Sequence, residues 1–145
     1  MTNFVLITGG SGGIGLELAN LFWADGYNLC IASLDEPCLH QMHTGLPDRP
    51  GQTLIRFPVN LSEPGSGQAL YDAVREKGIS PEFLVNCAGF GDWGELVDAD
   101  PDRIEGMVRL NVETTTTLCL LFGQDMKARK RGGILNVGST IAFQP

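Results

Sequence analysis

Five of the seven residues from Gly9 to Gly15 are glycine, in the run Thr8-Gly9-Gly10-Ser11-Gly12-Gly13-Ile14-Gly15. Inside a helix each glycine costs about 1 kcal/mol relative to alanine, so such a run at a helix start needs a reason. Its flanks supply one. Upstream, Phe4-Val5-Leu6-Ile7 is a short all-apolar run, the pattern of a parallel strand covered on both faces. Downstream, Ile14, Leu18, Leu21 and Phe22 recur at helical spacing and predict one apolar helix face, with Gly26 as its stop. A glycine turn from strand to helix bends tightly. It also lets an anion approach the first helical N–H groups with no side chain in the way. No Gly-Lys-Ser/Thr follows, which excludes the Walker form of such a turn.

The remainder of the chain alternates in the same manner. Leu29-Cys30-Ile31-Ala32 predicts a second strand, Pro37 to Met42 a short helix, and residues 44 to 51 a loop rich in Gly and Pro. A third strand, Leu54 to Val59, belongs at a sheet edge, because Pro58 has no N–H to give a neighbour. Ala69, Leu70, Ala73 and Val74 mark the next helix, and Phe83 to Asn86 the fourth strand. Asp100-Pro101 supplies an N-cap and a first-turn proline for a helix that runs, with a kink, to about Met126. Gly133 to Ser139 predicts a fifth strand. Strands joined by helical crossovers give a doubly wound parallel α/β sheet, here one domain over residues 1–145.

Net charge is −7, which argues against a nucleic-acid or anionic-membrane partner, since phosphate binding depends on Lys and Arg. The one basic cluster, Lys127, Arg129, Lys130 and Arg131, falls at a helix end, where cations complement the dipole and are solvated. The longest apolar helical run, Leu118 to Phe122, is far too short to span a membrane. Met1-Thr2-Asn3 carries no basic leader, so the expected location is the cytoplasm. Cys30, Cys38, Cys87 and Cys119 form no C-x-x-C pair and read as free thiols of a reducing compartment. His40 and His43 lack a third ligand, so no metal site is expected.

Four further motifs follow the glycine turn in order. They are Asn60-Leu61-Ser62 after the third strand, Asn86-Cys87-Ala88-Gly89 after the fourth, Leu110-Asn111-Val112 on the long helix, and Asn136-Val137-Gly138-Ser139 on the fifth strand. Together with Thr-Gly-x-x-x-Gly-x-Gly they resemble the short-chain dehydrogenase/reductase family across the whole chain. Two departures stand out: Asn60 replaces the family's aspartate, and Cys87 replaces the second asparagine of Asn-Asn-Ala-Gly.

The resemblance implies an NAD(P)-dependent oxidoreductase that moves a hydride between a nicotinamide and an alcohol or carbonyl substrate. It implies a Rossmann sheet of about five strands in the order 3-2-1-4-5, incomplete beside the family's longer one. Thr8, Gly9, Ser11, Gly12, Gly13, Ile14 and Gly15 would cradle the dinucleotide, with Ser33, Asn60, Leu61, Asn86, Ala88 and Gly89 completing its site. Ser33 stands where NAD-binding members keep an acidic residue, and Leu34 stands next to it, where NADP-preferring members often carry Arg; Gly12 likewise lacks the cation common in NADP-type turns. Losing that carboxylate removes a repulsion and tips the expectation toward NADP over NAD, although Asp35 lies two residues on. Phe90 to Gly94 would border the cofactor end of the cleft, with Trp93 as a loop anchor.

Ser139 would hold the substrate oxygen, and Asn111 would order a water in the proton relay. The family's acid/base pair, Tyr-x-x-x-Lys, follows its serine at a distance that residues 140–145 do not reach. Tyr27 precedes the second strand, and Tyr71, four residues before Arg75, sits on a helix away from the strand ends. The expectation is a fragment with near-background turnover, or alternatively a dinucleotide-binding module without catalysis. An open fifth strand would leave it prone to association, whereas the full-length form is expected to be a homo-oligomer.

Overall fold

The computed structural model describes residues 3–34, 46–47 and 49–143. The expected helix from Pro37 to Met42, along with Asp35, Cys38, His40 and His43, lies outside them. The strands are β1 (Phe4–Thr8), β2 (Asn28–Ser33), β3 (Leu54–Pro58), β4 (Phe83–Asn86) and β5 (Gly133–Asn136). All pair in parallel, in the order β3-β2-β1-β4-β5. Pro58 sits on the edge strand, as its missing N–H requires. The fifth strand is shorter than the sequence suggests. Val137 N–H still donates to Asn86 O, but β4 ends there, and no further rung can form.

Alternation along the strands divides the core in two. Leu6, Cys30, Ala32 and Leu84 face α2 (Ser66–Glu76) and the long helix, packing with Leu70, Val74, Leu118 and Phe122. Val5, Ile7, Leu29, Ile31 and Val85 face α1 (Gly13–Ala24). Burying a side chain of this size contributes about 1.5–3 kcal/mol. Burial also pushes the Cys30 thiol up to about 12.

The buried stripe of α1 is Gly15, Ala19 and Trp23, which corrects the expected face of Ile14, Leu18, Leu21 and Phe22. Leu18 and Phe22 are half-buried, whereas Ile14 is 62% and Leu21 63% exposed. Apolar residues ring this helix; Gly15 and Ala19 let the backbone lie close to the sheet, and Trp23 packs into the same core. Gly26 does end it: Tyr27 N–H reaches Phe22 O and Gly26 N–H reaches Trp23 O, with Gly26 at φ +89°. That is a Schellman closure.

The expected kink is a π-helical segment, Arg109–Thr114, between α3 (Pro101–Val108) and α4 (Thr115–Arg129). Asp100 caps α3 by accepting from Asp102 N–H. The basic cluster at the end of α4 is more than a solvated helix end. Arg129 donates to Ser80 O and Pro81 O at 3.0 and 2.8 Å, and Arg131 forks onto Glu82 at 3.0 and 2.9 Å. These contacts fix the approach to β4. Among the described residues, no helix is long and apolar enough to cross a membrane.

Candidate functional site

The strand order reverses between β1 and β4, and in open parallel sheets a crevice forms outside the carboxyl ends of the strands at such a point. Here it is a cleft of about 1020 Å³. Gly9, Gly12, Ile14 and Gly15 line it from the glycine turn, and Asn86, Cys87, Ala88, Gly89, Phe90, Gly91 and Asp92 from the segment after β4. Asn111 reaches it from the π-helical segment, and Val137, Gly138 and Ser139 from the end of β5. Sequence reasoning missed Met107, Thr115, Ile141 and Ala142 on its wall, which carry no motif.

The glycines divide into two kinds. A side chain at Gly9 would meet the Ala88 backbone at 2.8 Å, and one at Gly15 would collide with the Gly9 carbonyl. These two let β1, α1 and the β4 turn pack backbone to backbone. Gly12 and Gly13 instead have nothing within 4 Å of a built Cβ, so they border open space. The α1 N-terminus behind them has no side-chain cap and no acidic residue in its first turn. Its orphan N–H groups and dipole make it suited to an anion.

At the end of β2, the Ser11 and Ser33 hydroxyls share a hydrogen bond of 2.5 Å. Leu34 beside them is exposed. Asn60 is exposed, and its side chain is engaged locally: Oδ1 accepts from Ser62 N–H, and Nδ2 donates to Glu63 Oε1. Leu61 is buried in the core, and its carbonyl accepts from both Ser66 Oγ and Thr114 Oγ1. Thr8 is buried too, with Oγ1 accepting from Cys87 and Ala88 N–H at 3.1 Å each. Ser11, Gly13, Ser33, Asn60, Leu61 and Thr8 therefore lie outside the cleft lining, and Thr8 acts from behind it.

Asn86, the last residue of β4, is buried, with Nδ2 donating to Asn136 Oδ1 on β5 at 2.8 Å and lying 3.3 Å from Cys119 Sγ. Its own Oδ1 is a buried acceptor with no partner among the described residues. Such an atom costs stability unless a donor reaches it. Burial raises the Cys87 thiol, which keeps it a poor nucleophile.

On the opposite wall, Asn111 Nδ2 donates to Phe90 O at 2.9 Å. The wider π turn brings Asn111 to the cleft, a common use of such bulges. Ser139 Oγ accepts from Ile141 N–H at 3.1 Å. Trp93 is 90% exposed and anchors nothing, contrary to the sequence expectation. Arg103 holds this loop instead, with its guanidinium on Asp92, Gly91 O and the Phe90 ring. The Asp92 carboxyl is held below its ordinary range, chiefly by that Arg103 hydrogen bond.

Neither tyrosine reaches the cleft. Tyr27 packs edge-on against Phe22 and Phe83, ahead of β2. Tyr71 Oη donates to Asp125 Oδ2 at 3.1 Å, and Arg75 lies 3.5 Å from the same carboxylate. Burial first, then Asp125, raises the Tyr71 phenol, the opposite of what a general base needs. The pair ties α2 to α4 rather than lying free on a helix surface.

A family model described as short chain dehydrogenase matches residues 3–145. Among curated proteins, "Probable oxidoreductase EphD" of Mycobacterium tuberculosis is 29% identical over 144 residues, covering 97% of this chain and 24% of that protein. Among solved structures, the bulky-bulky ketone specific alcohol dehydrogenase from Comamonas testosteroni superposes with TM-score 0.89 at 28% identity, covering 99% of this chain and 57% of that one. A short-chain dehydrogenase from Sphingobium yanoikuyae in complex with NADPH gives TM-score 0.88 at 29% identity, covering 99% and 56%. The chain thus spans about a quarter of the first of these proteins and somewhat over half of the other two.

Proposed function

The chain belongs to the short chain dehydrogenase family, and from that premise we propose that its cleft holds a nicotinamide dinucleotide for hydride exchange with an alcohol or carbonyl substrate. The turn after β1 carries this reading. Open space over Gly12 and Gly13, above an uncapped helix start without acidic residues, fits a pyrophosphate. Bound there, the dinucleotide supplies a hydride donor or acceptor.

The chain's own residues bind and orient. Gly9, Ser11, Gly12, Gly13, Ile14 and Gly15 form the phosphate turn, Ser33 faces the adenosine ribose, and Asn60 and Leu61 stand on the adenine side. Thr8 fixes the β4 turn, from which Asn86, Ala88 and Gly89 border the nicotinamide half. Ser139 holds the substrate oxygen, and Asn111 orders a water for the proton relay. The neutral Ser11–Ser33 pair presents no carboxylate to a 2′-phosphate, which favours NADP over NAD. The NADPH complex of the Sphingobium relative supports the same choice.

Free thiols at Cys30, Cys87 and Cys119 accord with a cytoplasmic setting, and net charge −7 with a small-molecule rather than a nucleic-acid partner. Exposed Val108, Val112 and Leu120 on the long helix suit a homo-oligomer. These 145 residues alone turn over substrate at background, because neither tyrosine reaches the cleft. Titration with NADPH and NADH tests the proposal: saturable binding with NADPH tighter supports it, and binding of neither overturns it. Assaying the native gene product with alcohols and ketones then separates an oxidoreductase from a binding module.

A further inference from the structure

We propose that Arg103 is a positioning residue of the cleft, clamping Phe90, Gly91 and Asp92 into the wall that a dinucleotide contacts; this rests on the dinucleotide reading above. The segment from Gly89 to Gly94 alternates glycine with larger residues and belongs to no helix or strand. Among the described residues, none of its backbone groups joins a backbone–backbone hydrogen bond outside the regular elements. Left to itself, such a segment samples many conformations.

Two side chains from the neighbouring helix oppose that freedom. Asn111 secures the Phe90 carbonyl at 2.9 Å. Arg103, two turns earlier on α3, makes three contacts in succession along the loop. Nε donates to Asp92 Oδ1 at 3.0 Å, Nη2 donates to Gly91 O at 3.2 Å, and the guanidinium lies 5.1 Å from the Phe90 ring centroid. A planar guanidinium can meet a carboxylate, a carbonyl and an aromatic face together, which a lysine ammonium cannot. Phe90, Gly91 and Asp92 all line the cleft, while Arg103 does not. Arg103 thus acts on the ligand only through the wall it holds. If that wall is in place a smaller fraction of the time, apparent affinity falls by the same fraction.

The test uses the 145-residue chain and its Arg103→Ala and Arg103→Lys variants. In ligand-free protein, Arg103→Ala is expected to speed amide exchange from Phe90 to Gly94 about tenfold, with β1 and β4 amides unchanged. NADPH affinity should weaken about tenfold, with Arg103→Lys intermediate. Asp92→Asn, which removes the charge from the other side, should reproduce part of the exchange effect and guards against an Arg103 variant that fails to fold. Unchanged exchange overturns the clamp, and so does faster exchange with undiminished NADPH binding. Wild-type protein that binds no NADPH would sink the dinucleotide reading instead, and ligand-free exchange would still decide whether Arg103 holds the wall.

Discussion

Ser11 and Ser33 are joined hydroxyl to hydroxyl at 2.5 Å, a single uncharged link between the glycine turn and the carboxyl end of β2. The two residues are 22 apart in sequence, one in the turn after β1 and the other at the end of β2. The link sets the electrostatics at the mouth of the turn. Neither hydroxyl carries a charge that would repel a phosphate.

Replacing Ser33 with Asp should therefore reverse the dinucleotide preference. A carboxylate about 4 Å from a phosphate charge costs about 4 kcal/mol at an effective dielectric of 20. NADPH affinity is expected to fall at least tenfold, about 1.4 kcal/mol, while NADH affinity holds or improves. Parallel fluorescence titrations of the two dinucleotides check this. Equal losses for both would show that position 33 does not face the ribose.

Gly12→Asp separates binding from folding at one position. Gly12 has extended backbone (φ −162°) and open space around its Cβ direction, so a side chain fits without strain. An acidic N-cap next to the helix dipole should stabilise α1 by about 0.3–1 kcal/mol. The same charge sits where the pyrophosphate would lie. Thermal melts should show a Tm equal to or above wild type while dinucleotide binding is lost. A variant that still binds would move the phosphate site away from this turn.

Thr8→Val tests the brace behind the cleft. Valine keeps the shape but removes the acceptor for Cys87 and Ala88 N–H, both held at 3.1 Å. Two part-buried donors lose their partner, and the expected destabilisation is about 1–2 kcal/mol. Urea unfolding measures it. A loss below about 0.5 kcal/mol, the scatter of surface substitutions, would mean that water replaces the hydroxyl freely.

Alkaline pH should weaken the fold through Cys30. Its thiol is raised to about 12 in the folded chain by burial, against an ordinary value of 9.0. Between those values the unfolded chain gives up a proton that the folded chain keeps. Stability is thus intact below about pH 9 and declines from there toward pH 12, by up to about 1.4 kcal/mol per pH unit from this group. Cys30→Ala removes the titrating group. Urea unfolding at several pH values should show a shallower alkaline decline for the variant, and identical slopes would contradict the assignment.

The strands were legible because a parallel strand buried on both faces needs an unbroken apolar run, and Phe4 to Ile7 or Phe83 to Val85 can be little else. The glycine turn was legible for the same local reason. What escaped depends on partners far away in the chain. The buried stripe of α1 follows Gly15, Ala19 and Trp23, where the two small residues permit contact with the sheet, and not the Ile14, Leu18, Leu21 and Phe22 spacing. The π turn at Asn111 is fixed partly by the Thr114 hydroxyl reaching Leu61 O, 53 residues away. Trp93 invited an anchoring role on hydrophobicity alone, yet the loop is held by Arg103 through a charge, a carbonyl and a ring. No periodicity announces such a contact.

β5 gives the last expectation its footing. It is the outer strand of the described sheet, pairing only with β4, and its residues Ile134 and Leu135 are 38% and 46% exposed. Ile134 turns toward α4, with its Cδ1 near Gly123. By strand alternation Leu135 then points to the face of α1, which packs on β1 and β2 and leaves it uncovered. An open edge with apolar side chains is a template for pairing with another copy. The 145-residue chain should accordingly self-associate at micromolar concentration, and Leu135→Lys, a charge on that edge, should shift it toward monomer. Sedimentation velocity over a concentration series reads both outcomes. A monodisperse wild-type monomer would show that the β5 edge is protected without any partner, and an unchanged distribution for Leu135→Lys would place the association elsewhere, with the exposed Val108, Val112 and Leu120 face as the next surface to test.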